Sequence, residues 1–435
     1  MRDAAFALLM LCALPLAIAR PFNAYLLWGW TGLLVPTAYF YGFMTHARVN
    51  LSLAVLTFAL ILLGRVKWRD YQPNRVTWLY LLLALHATLV FWFAYGENPH
   101  NAQYHEILIK GLLFALVMPF FVRERVHFHA MFIVIALGLG IHGVLNGLKS
   151  VASAGGHNML GPAGTMLADR NHLSTVLALV LPVLFYLQTY SANRLIRLGF
   201  LGTFCLVVVA ILAGGSRAGF IALSVVGLWL VLTTRRKGLA LALAVTAVVG
   251  FLAFVPEDIT SRLSTIKEAE EDSSFMGRVI AWKISSAIAL ANPVFGGGFH
   301  AVQVQPIWDT FKTAPSLLGF LNLPVPEFSA KAAHSIYFEV MGDLGFVGLG
   351  IFLTILSRGV WSRFTIKQLT AQLGESYQWA RDMADMLMLS VLAYMVGGAS
   401  VSLGYLEVIY MVVMLMELLR LHLVRAAASA TKGAT

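Results

Sequence analysis

Apolar residues in this chain come in blocks of roughly twenty, divided by short clusters of charge, and that spacing matches the hydrocarbon thickness a spanning helix must cross. The blocks fall at 22–40, 51–63, 76–93, 107–122, 130–148, 172–190, 195–212, 218–232, 238–255, 335–356, 383–401 and 404–424, so about twelve spans are expected. Of the 435 residues, 59% are hydrophobic and 12% charged, whereas a soluble domain has about 25% charged residues. An outer-membrane barrel is excluded, because its strands would alternate over about ten residues instead of running apolar throughout. Disordered, collagenous, coiled-coil and disulfide-scaffold classes fall to the same arithmetic. The expected fold is an all-α polytopic membrane bundle.

The block at 4–19 is short, follows Arg2 and ends Ala17-Ile18-Ala19, which mimics a signal-peptide cleavage site. It is read as uncleaved and as pairing with the next block in one broken span, which leaves both termini cytoplasmic.

The formal net charge is +10, from 31 Lys and Arg against 21 Asp and Glu. In a soluble protein this excess would suggest nucleic acid. Here Arg65, Lys67, Arg69 and Arg75, then Arg123 and Arg125, then Arg235, Arg236 and Lys237 all sit between apolar blocks, where the positive-inside rule places them in the cytoplasm. No nucleic-acid partner is expected. Cys12 and Cys205 both lie inside apolar blocks, as small hydrophobes, without Cys-x-x-Cys or metal-ligand spacing.

With Arg235, Arg236 and Lys237 inside, parity carries residues 256–334 to the external side. The chain then divides into N-terminal transmembrane helices at 1–255, an external loop at 256–334, C-terminal helices at 335–425 and a cytoplasmic tail at 426–435. Loops beyond about 15 residues are commonly functional when ordered. This one shows helical patterning over 278–290, a run Gly296-Gly297-Gly298, and aromatic residues at Trp282, Phe295, Phe299, Trp308 and Phe311. It is expected to be folded and to carry part of a site.

Candidate site residues gather at that same side. Gly214-Gly215-Ser216-Arg217-Ala218-Gly219 sets an arginine close to membrane depth, where charge is costly and usually functional. Small residues around it let an anion approach the backbone, and arginine suits bidentate phosphate binding. A snorkelling arginine at a helix end is the alternative. Ala333-His334-Ser335-Ile336-Tyr337-Phe338-Glu339 opens the span after the loop, and imidazole at its mouth is a usable base near neutral pH. Glu339 and Asp343, four apart, share one helix face; buried acids tend to be partnered, and an arginine is the partner weighed for them. Arg278 begins the loop helix. Asp169-Arg170-Asn171-His172 precedes an apolar span and reads either as a helix cap or as part of the site. No His-Glu-x-x-His, Asp-x-Asp or carboxylate cluster with divalent-ion spacing occurs on the external side, and His100 with His105, like His127 with His129, is read as solvated. Metal-independent chemistry without a cofactor is expected.

Together, the Gly-Gly-Ser-Arg217 turn, the loop with Arg278 and Asn292-Pro293 before a glycine run, and His334-Ser335 followed by Glu339 and 342–348 resemble the bacterial O-antigen ligase family. That superfamily also holds O-antigen polymerases and protein O-glycosylation ligases, and Asp169-Arg170-Asn171-His172 is similar to the branch found near exosortase systems. The resemblance implies a membrane glycosyltransferase of GT-C-like architecture in the bacterial inner membrane, with its site facing the periplasm. It implies transfer of a glycan from undecaprenyl diphosphate to lipid A-core oligosaccharide, by a chain expected to be monomeric. It also implies His334 as general base, Arg217 and Arg278 stabilising the diphosphate, and supporting contacts from Arg170, His172, Ser216, Lys331 and Glu339. Asp343 stands where relatives often have Glu and receives no catalytic role. A polymerase or protein ligase of the superfamily would differ mainly in acceptor. A lipid-linked glycan transporter is the remaining alternative, and it would carry its charges at the midplane instead of at one surface.

Overall fold

A computed structural model of the chain describes residues 2–95, 97–233, 273–321 and 329–433. The helices are α1 (Arg2–Ala19), α2 (Pro21–Leu34), α3 (Val49–Leu62), α4 (Arg75–Trp92), α5 (Asn101–Val117), α6 (Arg125–Ala152), α7 (Arg170–Tyr190), α8 (Arg194–Ala213), α9 (Arg217–Thr233), α10 (Ser273–Ala291), α11 (Gln305–Phe311), α12 (Ile336–Leu373), α13 (Gln378–Gly398) and α14 (Glu407–Gly433). No strand occurs among the described residues. Among the described residues, six helices, α1, α4, α6, α7, α8 and α12, are long and apolar enough to cross a membrane, and α3 and α9 are shorter apolar helices. The block expected at 238–255 and the first part of the long polar stretch, through 272, lie outside the described residues, as do 322–328.

Contacts at the helix ends sort the bundle into two faces. At one, the Arg123 guanidinium bonds Asp70, Arg123 O meets His422 Nδ1 at 2.8 Å, and Arg125 lies over the Trp379 ring. This basic face gathers the ends of α3, α5, α7 and α12 with the starts of α4, α6, α8 and α13. The opposite face gathers the starts of α5, α7, α9, α12 and α14, and holds the candidate site.

The structure corrects the reading of residues 4–19. They do not join the next block in one span. Asp3 Oδ1 accepts from Gly42 N and Met44 N at 3.1 and 3.0 Å, and Phe6 packs on Trp30 and Phe40, so α1 runs antiparallel to α2 as a separate hairpin arm. The turn at Arg20, extended at φ −130°, and Pro21 at the first helical position explain the reversal. The N-terminal end consequently lies at the site face while α14 ends at the basic face, so the two termini do not share a side.

Long α12 is two helices joined at a break. Gly345 adopts φ 68° and ψ −173°, a left-handed conformation that glycine enters without a Cβ penalty. The break exposes carbonyls that a helix would otherwise satisfy. The glycine run of the loop answers them: Gly297 N donates to Gly342 O at 2.8 Å and Gly298 N to Asp343 O at 3.0 Å, while Phe346 N donates to Pro293 O at 2.8 Å. His86 Nε2 lies 2.9 Å from Leu344 O. A Cβ on Gly296 would fall 2.6 Å from Gly342 O and from Asp343 O, so the glycines are there to let two backbones meet.

Candidate active site

α10 is the loop helix expected from the patterning at 278–290, and it packs against the first half of α12. Trp282 fixes the geometry: its Nε1 donates to Ala333 O at 2.6 Å, and its ring stacks on Phe338 at 5.1 Å. Residues 329–335 are thereby drawn along α10, with Gly277 so close to Lys331 that a Cβ would meet Nζ at 2.8 Å. His334 follows in the left-handed region, at φ 44°, an uncommon conformation for a residue with a Cβ. Its N–H donates to Ser402 Oγ at 3.0 Å. The result is a cavity of about 90 Å3 lined by Gly277, Arg278, Lys331, Ala332 and His334.

The imidazole of His334 is half-buried among positive charge. Burial first, then Arg278 and His172, push its pKa down from the ordinary histidine value, against a smaller opposing pull from Asp169 and Glu339. Its neutral, proton-accepting form therefore prevails at neutral pH.

The structure thus brings Arg278, Lys331 and His334 into one cavity and sets His172 within electrostatic range of it. Asp169 is the cap of α7, accepting from Asn171 N and His172 N at 2.7 and 3.2 Å, so the cap reading of that segment holds for Asp169. His172 Nδ1 meets Met166 O at 2.7 Å. Arg170 stands exposed beside them.

The Gly-Gly-Ser-Arg217 turn forms the link between α8 and α9. Gly215, at φ 60°, ends α8 in the manner of a left-handed helix C-cap. Ser216 is fully buried and its Oγ accepts from Gly219 N at 3.2 Å, which makes it the cap of α9 and turns it away from the cavity. Gly214 and Gly219 press on Ser174 of α7, and Gly397 of α13 presses on Ala218 and Thr175. These contacts hold exposed Arg217 at the same end of the bundle as Arg170, beside the helix whose continuation presents Ser402 to His334. Neither Arg217 nor Arg170 lines the His334 cavity.

Glu339 and Asp343 turn inward to a second histidine that the sequence reading did not single out. Glu339 Oε1 lies 2.9 Å from His300 Nε2, with both side chains buried, and its other oxygen accepts from Gly404 N at 2.8 Å. Asp343 Oδ2 accepts from Tyr405 OH at 2.7 Å. His300 itself is left-handed at φ 56°, stacks on Tyr104 at 3.6 Å and bonds Gln303 through Nδ1. Its partner is thus histidine, and the arginine weighed from the sequence is not what meets these acids. Burial alone would push the His300 pKa down, but Glu339, Asp343 and Gln303 together outweigh it and hold it raised. The available signal was the demand of two buried acids for a partner, and long separation along the chain hid which residue answers it.

Against the expectation that no cation-binding cluster occurs here, the fold assembles one. Ligand-capable atoms of His300, Glu339 and Asp343 all lie within 4.8 Å of one another, assembled by the fold from residues far apart in sequence. These are the residues that would hold a cation, although Gly404 N and Tyr405 OH already engage both carboxylates. The histidine pairs do not behave as solvated groups: His105 meets Thr88 Oγ1 at 3.1 Å, His127 completes the capping box of α6 with Glu124, and His129 bridges Arg125 O and Tyr186 OH at 2.7 and 3.0 Å.

Chemically, the arrangement offers a neutral imidazole beside fixed cations at the mouth of a helix, with an acid pair locked behind it. Such a site can accept a proton while it holds an anionic leaving group. Residues 1–192 match a family of unknown function, residues 201–353 match the O-antigen ligase family, and no curated protein matches the chain. The second match runs from α8 through the break in α12, and so includes Arg217, Arg278, Lys331, His334 and Glu339. On that match, residues 201–353 of this multi-pass membrane protein are similar to the O-antigen ligase family.

Proposed function

We propose that the chain transfers a glycan from undecaprenyl diphosphate to a hydroxyl of lipid A-core oligosaccharide, at the periplasmic face of the bacterial inner membrane. The observation that carries this reading is the shared cavity of Arg278, Lys331 and His334, inside the span of the family match. Orientation follows from the basic face, which the positive-inside rule assigns to the cytoplasm, so that a chain of about twelve spans presents His334 outside.

His334 takes the proton of the acceptor hydroxyl as its oxygen attacks the anomeric carbon. The bond from that carbon to the diphosphate breaks in the same displacement, with inversion. Negative charge then grows on the diphosphate, where Arg278 and Arg217 stabilise it; preorganised cations at a developing charge lower a barrier without reorganisation. Lys331, His172 and Arg170 extend the positive surface along the diphosphate and first sugars. Glu339, engaged by His300, supports the helix that presents His334. Proton acceptance and charge stabilisation are thus both supplied by side chains, which is the basis for proposing metal-independent transfer.

The test is transfer by purified protein in detergent, with undecaprenyl-diphosphate-linked glycan, lipid A-core and EDTA, followed by gel shift of the acceptor. Wild type is expected to shift the acceptor, and His334→Ala is not. Lengthened lipid-linked glycan or a glycosylated protein in place of that shift would assign the chain to the polymerase or protein-ligase branch. Glycan translocation without any transfer would favour the transporter.

A further inference from the structure

At the basic end of α12, a cavity of about 460 Å3 is lined by Arg358, Trp361, Ser362, Phe364 and Thr365. Its depth along the helix is informative. At 1.5 Å per residue, about twenty residues counted from Ile336 cross a hydrocarbon core of about 30 Å. Arg358 and the residues after it therefore stand at headgroup level. Trp361 is 69% exposed and Phe364 is 54% exposed, as suits the aromatic belt at a membrane interface.

Two polar atoms at this cavity have no hydrogen-bond partner among the described residues, Arg358 Nε and Ser362 Oγ. Ser362 is only 4% exposed, so its hydroxyl is withdrawn from water without a compensating hydrogen bond, which is an unfavourable state. Nearby charges are also out of balance. Glu417 accepts from Arg420 Nε and Nη2 at 3.0 and 2.7 Å, while Arg358 Nη2 stays 3.7 Å away. One carboxylate thus faces two guanidinium groups, and Arg358 is the one that makes no hydrogen bond to it. Arg363, the next cation along, is taken up by Asp385 at 2.6 Å.

We propose that this cavity binds the phosphate of an anionic phospholipid headgroup. Arg358 supplies a charge-assisted hydrogen bond through Nε, Ser362 donates its hydroxyl, and Trp361 and Phe364 flank the glycerol and the start of the acyl chains. Basic pockets at one membrane surface recognise anionic headgroups in this way. Free phosphate presents the same oxygens but has no chains to lie along the two rings. The site is separate from the His334 chemistry and does not depend on it.

The full chain would be placed in nanodiscs of phosphatidylcholine with phosphatidylglycerol, extracted, and examined by native mass spectrometry for retained lipid. Wild type is expected to retain phosphatidylglycerol over phosphatidylcholine. That preference falls at least about fivefold in Arg358→Gln, as loss of one interfacial cation implies, falls in Ser362→Ala, and is unchanged in Lys367→Gln, a basic-face charge outside the cavity. Equal retention of both lipids by wild type, or an undiminished preference in Arg358→Gln, overturns the proposal. If Arg358→Gln fails to fold, Ser362→Ala decides by the same criterion. Protection from thermal unfolding in pure phosphatidylcholine discs by millimolar inorganic phosphate, equal to that given by phosphatidylglycerol, would assign the cavity to free phosphate and overturn the lipid.

Discussion

His334 and His300 share an uncommon backbone conformation, at φ 44° and 56°, and differ in nearly everything else. The first faces a cavity with Arg278 and Lys331; the second is buried against Glu339 and stacked on Tyr104. Their surroundings push their pKa values in opposite directions from the same ordinary value, His334 down and His300 up. The contrast separates a histidine that opens onto a cavity from one locked in a buried pair, and α12 carries the consequences of both, since Glu339 lies just over one turn beyond His334.

The largest test of that contrast is Glu339→Ala. Removing one partner of a buried pair leaves the other charge uncompensated, at about 3–5 kcal/mol, and thermal denaturation in detergent is expected to fall steeply with or without substrate. Wild-type denaturation in this variant would break the comparison. His334→Ala should instead lose about 100-fold in transfer, with denaturation unchanged. His334→Gln sharpens the point, because a group that only hydrogen-bonded the diphosphate would leave much of the activity in place. Gly345→Ala comes next: this glycine-only backbone region costs a residue with a Cβ about 1–3 kcal/mol, the new atom would sit 2.6 Å from Pro293 O, and a lower denaturation temperature is the readout.

The smallest expected effect is on pH dependence, and its signs are opposed. His334 has a depressed pKa, so stability falls as pH drops from about 6.5 through its folded value, where the unfolded chain takes up the proton first. The same titration limits transfer on the acid side, below 6.5. His300 has a raised pKa, so the stability it contributes is full below about 6.5 and is lost as pH rises through its folded value. Denaturation temperature against pH should peak between these windows. Glu339→Ala should remove the alkaline fall and leave the acid limb of transfer in whatever folded protein remains.

Much of this was legible in the sequence. The blocks at 172–190 and 195–212 became α7 and α8 almost residue for residue, because lipid thickness fixes their length. Arg278, Lys331 and His334 were legible as polar residues next to an apolar span and its loop. Ser216 was not correctly read, since a serine before a helix serves as readily as cap as it does as ligand. His300 was missed because pairing across a fold leaves no local period. The break at Gly345 was hidden inside an unbroken apolar run, and the hairpin at Arg20 inside two runs short enough to be fused. In each case the deciding interaction joins segments distant in sequence.

The break in α12 also dictates an order of assembly. The glycine run at 296–298 is synthesised before the carbonyls of Gly342 and Asp343 that it meets, so these bonds form only when the later helix arrives. The first half of α12 cannot reach its final course until that meeting occurs, and His334 rides on that half. His334 therefore takes its final place only with that meeting, and a chain stalled before α12 carries Arg217 and Arg278 without it.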